Sequence, residues 1–387
     1  MTLDSTCEPP GGIQMPPAAI ATPTSRSSSD APLCDHAAFL RRRHFGSLDG
    51  LRALSVVAVI WHHTLGHHAD LPAMLTQGAH GVTLFFAISG FLIVTLLLRE
   101  HDRTSRIDLR AFYMRRALRI FPLYFAVLAI YVVVVFALER HSAVGREFFA
   151  NLVFFVTYTS NWFVHLDGRV IFYFAWSLAA EEQFYLVWPS IERFVRRSIA
   201  LTLMLSLVAL VTALSWLGPP SESAPLWYRI LTSVPLAICF GVLLAHAFHS
   251  ARVYAALRVV FGWRWSSLLF LCLSLWVLSS REMPDVAIHG SFALLVGACV
   301  YREDHFLARL LQLRAIAYLG SISYGMYLLH MLTKNVVVKL LSLLGITVSA
   351  YLLFVLTLAG TIAVATLSFR YFESYFLRMK TARWART

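Results

Sequence analysis

The chain has 387 residues, of which 58% are hydrophobic and only 14% are charged, and its formal net charge is +12. Its mean hydropathy of +0.66 excludes a water-soluble protein of this length and indicates a polytopic membrane protein. The basic residues stand in short clusters between apolar runs, as residues that set membrane orientation do, so we discount nucleic-acid binding. The five cysteines show no paired spacing, which supports neither a disulfide framework nor a thiolate metal site.

Residues 1–43 are rich in Pro, Ser, Thr and Ala and lack an apolar period, so we expect a disordered cytoplasmic tail there. A membrane domain at 44–372 and a second cytoplasmic tail at 373–387 complete the predicted organisation. Within the domain, apolar runs long enough to cross a bilayer predict about ten transmembrane helices. The runs lie at about 50–68, 79–98, 120–138, 176–193, 198–217, 226–248, 264–280, 286–301, 316–334 and 348–369.

A further apolar run at 148–165 is ambiguous, and the distribution of arginines decides how it is interpreted. The triplet at 41–43 places the N-terminus in the cytoplasm, and the arginine-rich loop at 99–119 returns there two spans later. If 148–165 does not cross, four later arginine groups face the cytoplasm, and if it crosses, all four face outside. We therefore predict an all-α protein of the cell inner membrane with both termini cytoplasmic and 148–165 re-entrant or at the outer interface. The four groups lie at 193–197, 252–264, 302–314 and 378–386.

The first apolar run carries Arg52 and His63, and ionisable residues inside a transmembrane helix are functional candidates by default. Their spacing of eleven residues is roughly three helical turns, which places both side chains on one face and about 16 Å apart. They are thus placed to contact the two ends of one elongated ligand. A neutral imidazole is a natural general base near pH 7, and His63 is favoured over His62, which is rotated off that face. The alternative is that these groups only line a helix–helix contact.

Two further candidates for ligand binding come later in the chain, a pair of small residues and a pair of arginines. Ser89 and Gly90 allow a ligand or another backbone to approach closely, with tight helix packing as the alternative. Arg116 and Arg119 are three residues apart and therefore neighbours on a helix at the cytoplasmic mouth. Two guanidinium groups there suit a phosphate-bearing cytosolic ligand, although anchoring by the positive-inside rule also accounts for the charge of the loop.

Adjacent carboxylates, Glu181 and Glu182, lie inside the apolar run at 176–193. A buried carboxylate in lipid is costly unless it is paired, so at least one of them should meet an Arg or His from another helix. The sequence leaves open whether such a Glu orients a base or only neutralises an arginine.

A final polar group, Ser323, Tyr324 and His330, lies in the run at 316–334. Ser323 and His330 are two turns apart on one helix face. A substrate contact and a hydrogen-bonding role in packing are both compatible with this pattern.

Taken together, five segments in this order resemble the bacterial membrane acyltransferase family 3, over about residues 45–372. They are LDGLR at 48–52 with a His eleven residues after the Arg, FFAISGFLI at 85–93, RRALRIFPLY at 115–124, WSLAAEEQFY at 176–185 and SYGMYLLH at 323–330. The resemblance implies that His63 is the catalytic base. It also implies that Arg52 and the pair Arg116 and Arg119 handle acyl-CoA.

The implied reaction is O-acyl transfer from acyl-CoA, usually acetyl-CoA, to a hydroxyl of a carbohydrate such as a cell-surface polysaccharide, O-antigen or exopolysaccharide unit. A lipid-linked saccharide is the expected acceptor, and no permanently bound cofactor or metal is expected. His63 would accept the proton of the attacking hydroxyl, and Arg52, Glu182 or backbone amides would stabilise the oxyanion. We assign Ser89 and Gly90 to acyl-CoA binding with the arginine pair. The expected acceptor contacts are Trp176, Ser323, Tyr324 and His330.

Three alternatives stay open. Some members of the family acylate macrolide sugars, so a glycosylated secondary metabolite is a second acceptor class. A transporter of an anionic substrate would also need intramembrane Arg, Glu and His, but it would work without acyl-CoA and form no ester. A metal centre would draw on the histidines of the first loop, although membrane di-iron enzymes need several such clusters. These histidines are His62, His63, His67, His68 and His80.

Overall fold

The computed structural model describes residues 36–42, 44–65, 71–218, 224–280 and 283–384. Throughout these ranges the regular structure is helical, which confirms the all-α class. Residues 1–35 of the predicted tail lie outside the described residues. Residues 36–41 form a short helix whose Phe39 is fully buried, so the packed part of the chain begins before the predicted boundary at 43.

The helices vary from single turns to 30 residues. In chain order they are α1 (His36–Arg41), α2 (Gly46–Thr64), α3 (Ala73–Thr76), α4 (Gly81–Thr104), α5 (Leu109–Leu138), α6 (Ala143–Ala150), α7 (Leu152–Val156), α8 (Ser160–Phe163), α9 (Ala175–Phe194), α10 (Arg197–Ser215), α11 (Leu226–Thr232), α12 (Leu236–His249), α13 (Ala251–Ala256), α14 (Arg258–Phe261), α15 (Ser266–Ser279), α16 (Asp285–Tyr301), α17 (Ala308–Leu311), α18 (Arg314–Ser321), α19 (Ser323–Leu343), α20 (Ala350–Ser368) and α21 (Ser374–Trp384). A 3₁₀ turn at Gly78–His80 precedes α4, and a π-helical stretch at Phe369–Glu373 joins α20 to α21.

Every predicted apolar run coincides with a helix or a helix pair, but fewer of them qualify as membrane spans. Among the described residues five helices are long and apolar enough to cross a membrane, or six if α11 and α12, which are bent by 54°, form one span. Pro235 immediately precedes α12 at that bend, and proline cannot donate a helical hydrogen bond. The chain is thus a membrane protein, while the ten-span count and the cytoplasmic termini stay predictions.

The helices outside that set explain the difference. α15 and α16 are apolar but have only 14 and 17 residues. α2 and α9 have 19 and 20 residues but carry acidic and basic side chains in their apolar sequence. The ambiguous run at 148–165 is broken into the short helices α6, α7 and α8, none of which is long enough to span a bilayer.

The interior is built around α4, which packs against α12, α2 and α16. At its crossing with α12, the backbone carbonyl of Ile238 lies against Gly90, and the carbonyl of Ala87 lies against Gly241. A Cβ atom at either glycine would collide with the facing backbone. Gly90, predicted to contact the donor, therefore serves helix packing, the alternative that the sequence left open.

Two arrangements position the polar side chains. α2 lies between α4, α18, α19 and α20, so that its polar side chains face other helices. The last helix does not stop at the predicted boundary of 373, because α20 continues through the π-helical stretch into α21. That stretch turns Glu373 inward, where its side chain is largely buried.

Candidate active site

A cavity beside the first half of α2 collects most of the predicted polar residues. We call it the arginine cavity; it encloses about 80 Å³. Four helices contribute to it: α2, α4, α5 and α9, with α19 closing one side. Its polar lining residues are Arg52, Ser89, Arg116, Arg119, Ser177, Glu181, Tyr185, Ser323, Tyr324 and Tyr327.

The three guanidinium groups of this cavity are held in different ways. Arg52 is bound to Asp49 Oδ1 at 3.2 Å, and the guanidinium of Arg116 lies over the ring of Tyr185, 4.2 Å from its centroid. Arg119 is close enough to Arg52 and Arg116 to be repelled by both. Three cations that face one small space favour an anionic ligand between them, as a phosphate group would be.

The acidic residue of the arginine cavity is Glu181, which accepts a hydrogen bond from the Tyr185 hydroxyl. Glu182, the predicted carboxylate, is not among the lining residues, although it lies close enough to Arg116 to feel its charge. Consecutive residues of a helix differ in direction by about 100°, so only one of two adjacent carboxylates faces a given cavity. Glu181 is thus the one that lines the cavity, and the catalytic role predicted for Glu182 stays a prediction.

A second cavity of about 350 Å³ lies at the other end of α2. We call it the histidine cavity. It is bounded by the last turn of α2, by one residue of α5, by the loop before α9 and by α19. Its lining residues are His62, His63, Tyr131, Leu166, Gly168, Arg169, Val170, Ile171, Phe172, Tyr173, Phe174, Met331 and Asn335.

His63 is held from three directions. The hydroxyl oxygen of Tyr173 lies 2.8 Å from its Nδ1 and 3.0 Å from its Nε2. The ring of His330 is stacked on it, with centroids 5.2 Å apart and an interplanar angle of 24°. Lys334 Nζ donates to the backbone carbonyl of His63 at 2.5 Å. His62 lines the same cavity, but its Nδ1 lies 3.2 Å from the carbonyl oxygen of Thr76, so His63 is the better-positioned base.

Tyr173 belongs to the loop that precedes α9. Burial raises the pKa of its phenol, so the group stays protonated at neutral pH and has a hydrogen to donate. Its neighbours Phe172 and Phe174 are almost completely buried. Phe172 has a φ of 64°, a left-handed conformation that is unfavourable for a bulky residue and that the packing of its ring must offset.

Only one layer of side chains separates the two cavities. Tyr327 lines the arginine cavity and Phe174 lines the histidine cavity, and their ring centroids lie 6.0 Å apart. His330 packs against both rings at 5.6 Å. Its Nδ1 lies 2.5 Å from the Tyr327 carbonyl, and its buried Nε2 has no hydrogen-bond partner among the described residues. We call these three residues the partition.

The predicted site residues therefore fall into four groups, apart from Glu182, which lies near Arg116 and lines neither cavity. Six line the arginine cavity, His63 lines the histidine cavity, and His330 belongs to the partition. Gly90 and Trp176 pack between helices, since the Trp176 ring contacts Phe86 at 6.3 Å. Ser323 and Tyr324, predicted to contact the acceptor, lie across the partition from His63. The six are Arg52, Ser89, Arg116, Arg119, Ser323 and Tyr324.

Sequence reasoning missed Tyr173, Glu181 as the cavity-facing carboxylate, Tyr185 and Lys334. Lys334 carried a usable signal, because a lysine inside an apolar run needs a partner such as a helix carbonyl. Tyr173 carried none, since it lies in a loop whose path depends on tertiary packing.

Only some of the histidines considered for a metal centre lie among the described residues. His67 and His68 lie outside the described residues. His80 Nδ1 lies 3.3 Å from the Thr83 hydroxyl. Within the described part of the chain, no three metal-binding side chains form a cluster.

Comparison with known proteins gives a family and several relatives. The model of a family described as an acyltransferase domain matches residues 45–370. The peptidoglycan O-acetyltransferase OatA of Listeria monocytogenes is 26% identical over 86% of this chain and 56% of its own length. The putative peptidoglycan O-acetyltransferase YrhL of Bacillus subtilis is 29% identical over 74% of this chain and 48% of its own.

The O-acetyltransferase OatA of Staphylococcus aureus is 38% identical over 43% of this chain and 29% of its own length. The chain thus spans about half the length of the first two relatives. No solved structure gives a significant match.

Proposed function

Because the chain belongs to acyltransferase family 3, whose domain covers residues 45–370, we propose that it is an integral membrane O-acyltransferase of the inner membrane. It moves an acyl group, which we take to be acetyl, from acyl-CoA to a hydroxyl of a carbohydrate. The observation that supports this proposal is the pairing of an arginine cavity with a histidine base across a thin partition.

The arginine cavity suits the phosphate end of coenzyme A. Arg116 and Arg119 offer planar donors to phosphate oxygens, and Arg52 adds a third positive charge. The pantetheine arm is long and thin, so it can carry the thioester from these charges toward His63. Arg52 and His63 are about 16 Å apart along α2, so the arm must span about that distance. To reach His63 the arm has to pass the partition, where Tyr327 and His330 of α19 pack against Phe174.

At His63 the reaction is a direct transfer. The neutral imidazole accepts the proton of the acceptor hydroxyl while the oxygen attacks the thioester carbonyl, and the tetrahedral intermediate collapses to an ester and the coenzyme A thiolate. Because Arg52 lies on the far side of the partition, it belongs to donor binding and not to the stabilisation of the oxyanion. Of the two roles predicted for Arg52, we therefore keep acyl-CoA binding and leave the oxyanion to the other candidates.

The acceptor class follows from the relatives. Two of them are named for O-acetylation of peptidoglycan, a carbohydrate polymer of the cell envelope. We propose an envelope glycan or its lipid-linked precursor as the acceptor of this chain as well.

The test uses membranes that contain the protein, labelled acetyl-CoA and a lipid-linked saccharide fraction. The wild type is expected to form an alkali-labile ester on the saccharide. Arg119→Ala should raise the KM for acetyl-CoA about 10- to 100-fold, the effect of losing one charge-assisted hydrogen bond. Arg115→Ala is the matched control, because Arg115 binds Glu100 at 3.4 Å outside the cavity.

Two results would contradict the proposal. One is wild-type membranes that form no ester from acetyl-CoA with any saccharide fraction. The other is flux of an anionic solute that needs no acyl-CoA, which would favour a transporter.

A further inference from the structure

The histidine cavity is larger than a base alone requires, and the proposed donor path meets only Phe174 of its loop wall. We propose that this cavity is the binding site of the carbohydrate acceptor and that the Tyr173 hydroxyl occupies the place of the acceptor hydroxyl until the sugar displaces it. The inference rests on the proposed function. It moves the acceptor site away from Ser323 and Tyr324, which lie across the partition.

The lining of the histidine cavity has the chemistry of a sugar site. Tyr131 and Phe172 of this lining are almost completely buried, so the half-buried ring of Tyr173 is the aromatic surface that a pyranose ring can meet. Asn335 and His62 present polar groups suited to its hydroxyls. At the exposed rim, Arg169 Nη2 donates to Glu139 Oε1 at 2.7 Å, so the charge of this arginine is already balanced. The cavity therefore suits a neutral, hydroxyl-rich ring.

Tyr173 marks the position of the reacting hydroxyl. A general base must lie within about 2.6–3.2 Å of the oxygen whose proton it takes. The Tyr173 oxygen lies 2.8 Å from Nδ1 and 3.0 Å from Nε2 of His63. Because the lone-pair axes of the two ring nitrogens diverge, the hydroxyl can align with only one of them, and the tautomer of the ring decides which nitrogen accepts. In this state the phenol covers the base, so a water molecule cannot take the same place and hydrolyse the thioester.

The loop allows the Tyr173 ring to move while its neighbours stay fixed. Phe172 and Phe174 are buried on either side of it, whereas Tyr173 is only half-buried. The Phe172 ring packs against Tyr131 at 5.1 Å and against Phe155 at 5.4 Å. The backbone is thus anchored before and after Tyr173, and displacement by a sugar needs only a rotation of its side chain.

The first arm of the test is Tyr173→Phe, which keeps the ring and removes the hydroxyl. Hydrolysis of acetyl-CoA in the absence of acceptor should rise about fivefold, because one hydrogen bond of about 1 kcal/mol no longer covers His63. The KM for acetyl-CoA should not change. Tyr351→Phe is the control, because Tyr351 is exposed on α20 away from both cavities.

The second arm is Asn335→Ala, which removes a polar group from the cavity wall. It should raise the KM for the saccharide about fivefold or more, the effect of losing one hydrogen bond to the sugar, and leave the KM for acetyl-CoA unchanged. Arg119→Ala should instead raise the KM for acetyl-CoA and leave the KM for the saccharide unchanged.

The outcomes separate this inference from the proposed function. Wild-type protein that transfers no acetyl group overturns both. If the wild type transfers acetyl groups but Asn335→Ala leaves the saccharide KM unchanged, or Tyr173→Phe hydrolyses no more acetyl-CoA than Tyr351→Phe, the inference alone fails.

Discussion

His63 and Arg52 lie on one helix yet serve different cavities. Their spacing predicted a shared face and a separation of about 16 Å, and in the structure Arg52 lines one cavity from the first half of α2 while His63 lines the other from its last turn. What the spacing did not contain is the partition between them. The partition is formed by residues of α19 and of the loop before α9, so no local sequence pattern predicts it.

The sequence could not show which of the two adjacent carboxylates, Glu181 or Glu182, lines the arginine cavity. The sequence predicted that at least one of the two carboxylates would meet an Arg or His, and Glu182 lies close to Arg116, whereas Glu181 lines the cavity. The choice depends on the rotation of α9 about its axis. Tertiary packing sets that rotation, and adjacent residues of the same type carry no signal about it.

Lys334 carries a residue-scale prediction. Its ammonium group donates to the His63 carbonyl at the last turn of α2, where helix carbonyls lack internal partners and cations are stabilising. Lys334→Met should lower the free energy of unfolding by about 1–2 kcal/mol and reduce kcat, because the turn that carries His63 loses its anchor. The measurement is thermal unfolding in detergent, together with acetyl transfer.

Lys339→Met is the matched control, since Lys339 lies on the same helix and is exposed. Equal losses in the two variants would show that the contact between Lys334 and the His63 carbonyl contributes nothing.

Among the elements, each predicted apolar run is a helix or a pair of helices. Apolarity alone, however, does not identify the helices that bear the site residues as membrane spans. α2 and α9 fall outside the set of apolar spans because they bear the Arg, His and Glu side chains that line the cavities. The short helices α6 to α8 and the π-helical stretch depend on contacts with other helices. The periodicity of their own sequences does not reveal them.

The close crossing of α4 and α12 predicts that a larger residue at Gly241 destabilises the protein. Gly241→Ala should destabilise the protein by about 1–3 kcal/mol, because the added methyl group collides with the backbone carbonyl of Ala87 and the helices must separate. Gly290→Ala is the control, since no atom lies within 4 Å of the position of its Cβ.

The control should be neutral or stabilising, because alanine favours a helix by about 1 kcal/mol over glycine. Thermal unfolding of both variants in detergent measures the difference. A Gly241→Ala protein as stable as Gly290→Ala would contradict close packing at this crossing.

For the whole molecule, transfer from a cytoplasmic donor to an envelope acceptor requires the two cavities to open toward opposite faces of the membrane. In a background without native cysteines, we expect Asp167→Cys beside the histidine cavity to react with a membrane-impermeant maleimide in intact cells. Arg106→Cys, in the arginine-rich loop after α4, should react only after the membrane is opened. Both positions are exposed. Labelling of both from the same side would contradict the predicted topology.

In the proposed reaction His63 is the base of an acyl transfer whose donor is held by the arginine cavity. The measurement is transfer of labelled acetyl groups from acetyl-CoA to a lipid-linked saccharide fraction by membranes that contain wild-type protein or His63→Ala. We expect the variant to bind acetyl-CoA like the wild type but to form the alkali-labile ester at least about 100-fold more slowly, the typical loss on removing a general base. Equal ester formation by the two proteins would contradict the account.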